Sequence, residues 1–184
     1  MIPDNLILTG FMGTGKTTVG RLVAEKLGLE FVDTDLVIEE RHGPIHEIFE
    51  REGESAFRDI ERALAQELGR RIGLVVATGG RMLLDPENFR ALSQNGRIFC
   101  LVASPEVIYD RVSRDPSRVS RPLLEVEDPK QRIVELLDDR HPDYERFPQV
   151  ATDHIDPDVI AQELADLWSE HDTPEDSSTR ARPL

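Results

Sequence analysis

A glycine-rich segment near the start of the chain carries the strongest chemical signal. Residues 10–17 read GFMGTGKT, in which Gly10, Gly15, Lys16 and Thr17 fit the spacing G-x-x-x-x-G-K-[ST]. The segment lies between an apolar run and a helical pattern, so backbone N–H groups at the start of that helix can bind an anion. The residues expected to contact phosphate are Gly13, Thr14, Gly15, Lys16, Thr17 and Thr18. The pattern predicts a nucleoside triphosphate site, with Lys16 on the β and γ phosphates and Thr17 on magnesium. The alternative is a glycine-rich turn that binds nothing.

Two carboxylates, Asp33 and Asp35, follow the second apolar run of the chain, in FVDTD. Residues two apart lie on the same side of an extended segment, so both can face the phosphate site across the strand ends. One of them could hold the water shell of a magnesium ion, while the other accepts a proton from an acceptor hydroxyl or orients that hydroxyl. The alternative is structural, because Asp33 could cap the helix that follows.

Glycine and arginine residues further along the chain supply candidate contacts to an acceptor. Gly79 and Gly80 end a strand in ATGGR, where glycine lets the backbone approach a ligand closely, and a tight turn is the alternative. Arg58 lies in a helical region and, taken alone, is typical of a solvated or ion-paired helix residue. A group of arginines in and beyond a loop at residues 113–127 indicates closure over phosphate: Arg114, Arg118, Arg121 and Arg140.

Hydrophobic periodicity predicts the elements that must position these side chains. Apolar runs of strand length occur at residues 6–8, 30–32, 74–77, 98–102 and, more weakly, 149–152. Helical stretches occur at residues 16–27, 45–71, 86–94, 105–114, 129–144 and 157–170. The alternation predicts an α/β fold with three layers, α/β/α, in which helices cover both faces of a five-stranded parallel sheet.

Length and composition limit the class of protein. The 184 residues fit one domain, which we place at residues 1–170, with a mobile lid at about 113–127 and a disordered tail at 171–184. The formal charge of −14 disfavours nucleic acid and membrane surfaces as partners and favours a monomer. The one cysteine, Cys100, excludes an internal disulfide and fits a buried core thiol. No apolar run has the length of a membrane span and no leader pattern is seen, so we expect a cytoplasmic protein.

Several segments together resemble the shikimate kinase family, which has a P-loop fold of the nucleoside-monophosphate-kinase-like type. The matching segments are GFMGTGKTTVGR (10–21), FVDTD (31–35), GESAFR (53–58), ATGG (77–80), RPLL (121–124) and RHPDY (140–144). They follow the family's order over about residues 4–170, whereas the phosphate loop alone would not separate this family from gluconate or adenylate kinases. The resemblance implies an enzyme of the shikimate pathway to aromatic amino acids. Its reaction would convert ATP and shikimate, with Mg²⁺, to ADP and shikimate 3-phosphate.

The resemblance implies roles for residues on the nucleotide side. Lys16 and Thr17 are similar to the family's phosphate and magnesium contacts. Asp33 is similar to the aspartate that reaches magnesium through water. Arg121 resembles the lid arginine that meets the transferred phosphoryl group, where charge develops in the transition state.

On the acceptor side, Asp35 resembles the aspartate that binds the hydroxyls of shikimate and serves as base or orienting group for the 3-hydroxyl. Arg58 and Arg140 match the pair that binds the shikimate carboxylate. Other matches are Gly79 and Gly80, against which the substrate ring lies, and Phe49 and Phe57, at apolar walls of the pocket.

One departure from the family lies next to these glycines. The family usually has a third glycine where this chain has Arg81. The Arg81 side chain must therefore point outward or enter the pocket, where it could add a cation for a carboxylate, exclude shikimate or favour a different acid. The alternatives to a shikimate kinase are thus a related kinase with another small-molecule acceptor and a ligand-sensing domain without catalysis.

A second departure lies in the expected lid, where residues 118–120 are additional. Arg118 and Arg121 are therefore rival contacts to the phosphoryl group, and we prefer Arg121 because Pro-Leu-Leu follows it. The adenine contacts stay open between Arg111, Arg114 and the loop near residues 156–157.

Overall fold

The computed structural model describes residues 4–114, 124 and 126–169. Its strands are β1 (Asn5–Thr9), β2 (Glu30–Asp33), β3 (Leu74–Ala77), β4 (Gly96–Val102) and β5 (Gln149–Ala151). Its α-helices are α1 (Lys16–Leu27), α2 (Thr34–His42), α3 (Ile45–Leu68), α4 (Pro86–Ser93), α5 (Pro105–Arg114), α6 (Pro129–Tyr144) and α7 (Pro157–Ser169), with a 3₁₀ turn at Met82–Leu84. The predicted strands and helices are all present in the described part of the chain.

The five strands form one parallel sheet in the order β2-β3-β1-β4-β5. Because the strands are parallel, their carboxyl ends lie at one edge, and ligands of such sheets bind outside that edge. At this edge Asp33 of β2 is in register with Ala77 of β3, and Thr9 of β1 with Cys100 of β4. The glycine-rich loop, the aspartate pair and the glycine pair of the sequence therefore meet at one place.

Side chains of β1 alternate between two apolar cores, as expected for a strand buried on both faces. Leu6 and Leu8 pack with α1 and α7, whereas Ile7 packs with the layer that contains α2 to α6. Cys100 of β4 lies in the second core, where burial raises the pKa of its thiol to about 12. The three-layer α/β/α architecture and the buried cysteine are confirmed.

Helix α2 is missing from the helical stretches predicted by periodicity, although the capping alternative given for Asp33 places a helix after that residue. Its apolar residues Leu36, Val37 and Ile38 are consecutive and do not recur with a helical period, and only Ile38 of the three is buried. Helix α3 contains a break at Gly53, whose φ of 82° and ψ of 173° are not helical. The segment after this break carries Glu54, Arg58 and Glu61 to the carboxyl edge of the sheet.

No helix of the described residues is both long and apolar enough to cross a membrane. Most of the expected lid, and the expected tail at 171–184, lie outside the described residues. Arg118 and Arg121 lie outside them as well.

Candidate active site

The glycine-rich loop joins β1 to α1 in a conformation that depends on its glycines. Gly10, Gly13 and Gly15 have φ values of 128°, 76° and 97°, which side chains rarely tolerate. A Cβ at Gly10 would lie 2.2 Å from the Leu101 carbonyl oxygen, so the loop packs directly on β4. The Thr14 hydroxyl closes the turn by donating to the Phe11 carbonyl at 2.8 Å.

Helix α1 begins at Lys16, with Gly15 as its N-cap residue. The first helical bond is donated by the Val19 N–H to the Gly15 carbonyl at 2.9 Å. The N–H groups of Lys16, Thr17 and Thr18 thus belong to the first turn, which has no intrahelical acceptors and can bind an anion. This is where the sequence predicts the phosphate contacts.

The Lys16 ammonium donates to the carbonyl oxygens of Gly10 at 2.8 Å and Phe11 at 2.9 Å. These bonds fold the side chain back over the loop. Burial lowers the pKa of Lys16, and the nearby carboxylates of Asp35 and Asp33 oppose this shift. The lysine charge therefore lies between the phosphate loop and both aspartates.

The two carboxylate oxygens of Asp33 have different partners. Its Oδ1 caps α2 by accepting from the N–H groups of Asp35 at 3.1 Å and Leu36 at 3.4 Å. Its Oδ2 accepts from the Thr17 hydroxyl at 2.7 Å. The helix cap thus fixes a carboxylate beside the phosphate loop.

Asp35 lies in the first turn of α2 and faces the Gly79 backbone. A Cβ built on Gly79 would lie 2.7 Å from Asp35 Oδ1 and 3.2 Å from Glu61 Oε1. Burial first, then repulsion from Asp33, raises the pKa of Asp35 to about 6, against the attraction of Lys16. This value suits a group that takes a proton near neutral pH.

Arg58 forms hydrogen bonds with two glutamates of its own helix, Glu54 and Glu61. Its Nη1 donates to Glu61 Oε2 at 2.6 Å, and its Nε and Nη2 donate to Glu54 Oε1 at 3.2 and 2.8 Å. Glu61 is only 2% exposed, and burial raises the pKa of its carboxyl group although Arg58 opposes the shift. The guanidinium also stacks on Phe57, 5.2 Å from the ring centroid, and Phe57 contacts Phe49.

Arg140 lies on the Gly80 side of the glycine pair. Its Nη1 is 3.5 Å from the position of a Cβ on Gly80, and its guanidinium stacks on Phe11 at 4.9 Å. The Tyr144 hydroxyl donates to the Gly80 carbonyl at 2.7 Å. Burial raises the pKa of Tyr144 to about 12, so the phenol keeps the proton that it donates. Arg140 therefore lies beside Gly80, whereas Arg58 is linked to the Gly79 side through Glu61.

Arg81 points away from the glycine pair toward Glu54. Its Nη1 is 3.6 Å from Glu54 Oε1, and 53% of its side chain is exposed. Its φ of −109° lies in a region open to any residue, so the backbone here does not require glycine. Of the two orientations open from the sequence, the structure shows the outward one.

Comparison with known proteins assigns the family. A family model described as shikimate kinase matches residues 12–168. A shikimate kinase from Thermodesulfovibrio yellowstonii is 47% identical over 162 residues, which is 87% of this chain and 92% of that protein. This chain belongs to the shikimate kinase family. A solved structure of shikimate kinase from Acinetobacter baumannii in complex with shikimate has a TM-score of 0.84 and 39% identity, covering 95% of this chain and 97% of that one. A gluconokinase from Sinorhizobium meliloti, with a TM-score of 0.64 at 18% identity, shares the fold alone.

Membership of the shikimate kinase family makes this chain an ATP-dependent phosphotransferase with a P-loop kinase fold. The predictions of family, fold class and enzyme class are confirmed. The structure brings together Lys16, Thr17, Asp33, Asp35, Arg58, Gly79, Gly80 and Arg140 at the carboxyl edge of the sheet.

Sequence reasoning missed three residues of this kinase site. Glu54 and Glu61 flank Arg58 at helical spacings of four and three residues, a signal for ion pairing on a helix. Tyr144 follows Arg140 by one helical turn, which places the two side chains on one face of α6.

Arg111 and Arg114 are both candidates for the contact to adenine, and their surroundings differ. Arg111 donates from Nη1 to the Gly13 carbonyl at 3.2 Å and to Thr152 Oγ1 at 2.9 Å, which joins the phosphate loop to the end of β5. Arg114 pairs with Asp110 on its own helix and its side chain is 78% exposed. Arg111 is therefore the stronger candidate for a nucleotide contact.

Proposed function

We propose that this chain transfers the γ-phosphoryl group of ATP to the 3-hydroxyl of shikimate, giving ADP and shikimate 3-phosphate. The observation that carries the proposal is the acceptor pocket: a carboxylate with raised pKa, Asp35, lies against the Gly79 backbone, Arg140 lies beside Gly80, and Arg58 is linked to the Gly79 side through Glu61. A small ring bearing hydroxyls and one carboxylate matches these groups. The Acinetobacter baumannii relative, whose structure is a complex with shikimate, supports the choice of acceptor.

On the nucleotide side, the loop amides and Lys16 are the proposed phosphate contacts. The Lys16 ammonium would exchange its loop carbonyls for phosphate oxygens, which carry a full negative charge. The Thr17 hydroxyl and the Asp33 carboxylate, 2.7 Å apart at the first turn of α1, are hard oxygen donors that fit Mg²⁺. Thr17 would bind the ion directly and Asp33 through water. Mg²⁺ bound there would neutralise charge on the β and γ phosphates.

On the acceptor side, Arg58 and Arg140 would bind the carboxylate, and the ring would lie on the Gly79–Gly80 backbone. Asp35 would orient the 3-hydroxyl and accept its proton as the hydroxyl oxygen bonds to phosphorus and ADP departs. A pKa of about 6 leaves Asp35 mostly ionised at neutral pH and still basic enough to take the proton. Most of the rate enhancement would come from alignment of the two substrates and from neutralised charge.

Two further roles are proposed for residues near the nucleotide. Arg121, outside the described residues, is the proposed lid arginine on the transferred phosphoryl group. Arg111 is proposed to contact the nucleotide base, because it is anchored between the phosphate loop and the end of β5.

A coupled ADP-release assay tests the function. Purified protein is supplied with ATP, Mg²⁺ and shikimate, beside a reaction without shikimate. Lys16→Ala is the test variant, and Lys26→Ala is the matched control because Lys26 lies in the same helix and pairs with Asp158 at 3.6 Å. We expect ADP release that requires shikimate, persists in Lys26→Ala and disappears in Lys16→Ala. A folded wild-type protein that binds ATP but releases no ADP with shikimate would refute the proposed acceptor.

The single domain at residues 1–170, the monomeric state and the cytoplasmic location stay predictions. Light scattering coupled to gel filtration tests the monomeric state, and the measured molar mass of the peak should be close to the chain mass of 20.8 kDa.

A further inference from the structure

Glu54 is shared between two arginines at the rim of the acceptor pocket. Its Oε1 accepts from Arg58 Nε at 3.2 Å and Arg58 Nη2 at 2.8 Å, and lies 3.6 Å from Arg81 Nη1. The Arg58 contact is side-on, because it uses the Nε–Nη2 edge of the guanidinium. The same edge can bind a carboxylate through two parallel bonds, whereas here both of its donors bond to one oxygen of Glu54. Glu54 therefore occupies an edge of Arg58 that an acceptor carboxylate could use.

The other contacts of Arg58 leave it no comparable edge. Its Nη1 donates to Glu61, which is buried and has no solvent to replace the bond. Glu54 is the partner that can be exchanged, because its side chain is 56% exposed and water can replace its bonds to Arg58. An incoming carboxylate would displace Glu54 and leave two like charges close together unless a cation accompanies Glu54.

We propose that Arg81 is a positioning residue that takes over the Glu54 carboxylate from Arg58 when the acceptor carboxylate binds. The proposal rests on the proposed function, in which Arg58 binds that carboxylate. Arg81 already lies beside the shared oxygen, and its half-exposed side chain needs only a small shift to close the remaining gap. The two positive charges of Arg58 and Arg81 then balance the two negative charges of Glu54 and Glu61. The charge of the acceptor carboxylate is neutralised by Arg140.

Removal of Arg81 would make the group of Glu54, Arg58, Glu61 and Arg81 more negative by one charge. This change should weaken the binding of the acceptor and leave the binding of ATP unchanged. Pairs between exposed charges contribute little, so we expect the KM for shikimate to rise about two- to five-fold in Arg81→Met. The kcat and the KM for ATP should not change, because Arg81 touches neither the phosphate loop nor Asp35. Arg81→Lys, which keeps the charge, should restore most of the wild-type KM.

A double-mutant cycle with Glu54→Gln separates this role from a direct contact with the acceptor. Once the Glu54 charge is gone, Arg81→Met should have no further effect on the KM for shikimate. Arg51→Met is the matched control, because Arg51 lies on α3, is similarly exposed and pairs with the neighbouring Glu52. Thermal unfolding followed by circular dichroism verifies that each variant is folded.

Several results would overturn the proposal. They are an unchanged or lower KM in Arg81→Met, an equal rise in the Glu54→Gln background, an equal rise in Arg51→Met, or an effect confined to kcat. Wild-type protein that neither binds nor phosphorylates shikimate would overturn the proposed function together with this inference. Wild-type turnover with a KM that is insensitive to Arg81 would overturn this inference alone.

Discussion

Replacement of Asp35 by asparagine should stabilise the free protein while it removes the activity. Burial and the neighbouring carboxylates raise the pKa of Asp35 from 3.8 to about 6. One pKa unit corresponds to about 1.4 kcal/mol, so the charged carboxylate costs up to about 3 kcal/mol of folding free energy. The side chain keeps some contact with solvent, and its loss also removes a partner of Lys16. We therefore expect Asp35→Asn to raise the free energy of unfolding by about 1–3 kcal/mol at pH 8.

The direction of the pKa shift fixes the pH window of this effect. Below pH 3.8, Asp35 is protonated in both the folded and the unfolded protein, so it has no net effect on stability. Between pH 3.8 and about 6, the unfolded chain releases the proton first, and stability is lost as the pH rises. Above this window the loss is complete. Asparagine does not titrate, so the advantage of Asp35→Asn should fall below about 1 kcal/mol at pH 4.

Urea unfolding followed by circular dichroism, at pH 8 and at pH 4, measures this difference. Asp139→Asn is the matched control, because Asp139 is exposed on α6. In the coupled assay Asp35→Asn should lose at least about 10²-fold in kcat, since proton transfer contributes on that scale, with ATP affinity retained. The reasoning would be refuted by a variant no more stable than wild type at pH 8, or by a gain of the same size at pH 4.

Three further predictions follow from the acceptor pocket. The value of kcat/KM for shikimate should fall about tenfold per pH unit below pH 6, because Asp35 must be ionised, and a rate profile flat down to pH 5 would contradict this. Gly79→Ala should lower kcat at least about tenfold, because its methyl group would lie 2.7 Å from Asp35 Oδ1. Gly80→Ala, whose nearest contact would be at 3.5 Å, should keep the wild-type melting temperature and change only the KM for shikimate. Identical kinetics in the two variants would refute this placement of Asp35. Glu61→Gln should raise the KM for shikimate about tenfold, because Arg58 loses the buried carboxylate that orients it, and this loss should outweigh the gain from one negative charge fewer. The KM for ATP is the internal control that should not change.

Much of the fold could be predicted because local signals mark its elements. Prolines at positions 105, 129 and 157 begin helices α5, α6 and α7, where the first turn does not need their missing N–H. The apolar runs of β1 and β4 are buried on both faces, which makes them continuous and easy to recognise. Helix α2 was missed because only its N-terminal cap is distinctive: Asp33 supplies it, and the residues that follow have no helical period.

The site could be predicted where chemistry and spacing coincide, and not where it depends on packing. The phosphate loop is local, so the positions of Lys16 and Thr17 follow from one segment. The direction of Arg81 does not, because its partner Glu54, next to the break at Gly53 in α3, is far from it in sequence. A second contact between segments distant in sequence places Glu61 beside Gly79.

The charges at the site explain how an acidic protein can select an anionic acceptor. Lys16 faces Asp33 and Asp35, and Arg58 and Arg81 face Glu54 and Glu61, so these cations bind an anion only by an exchange of partners. Arg140 differs, because it stacks on the Phe11 ring and lies beside the neutral Tyr144 hydroxyl. A ligand without a carboxylate would leave the Arg140 charge buried and unpaired, which is costly. Within the part of the chain that the structure describes, Arg140 is the cation of the acceptor pocket without a carboxylate partner, so we expect selection to depend on it while Arg58 sets the orientation of the acceptor.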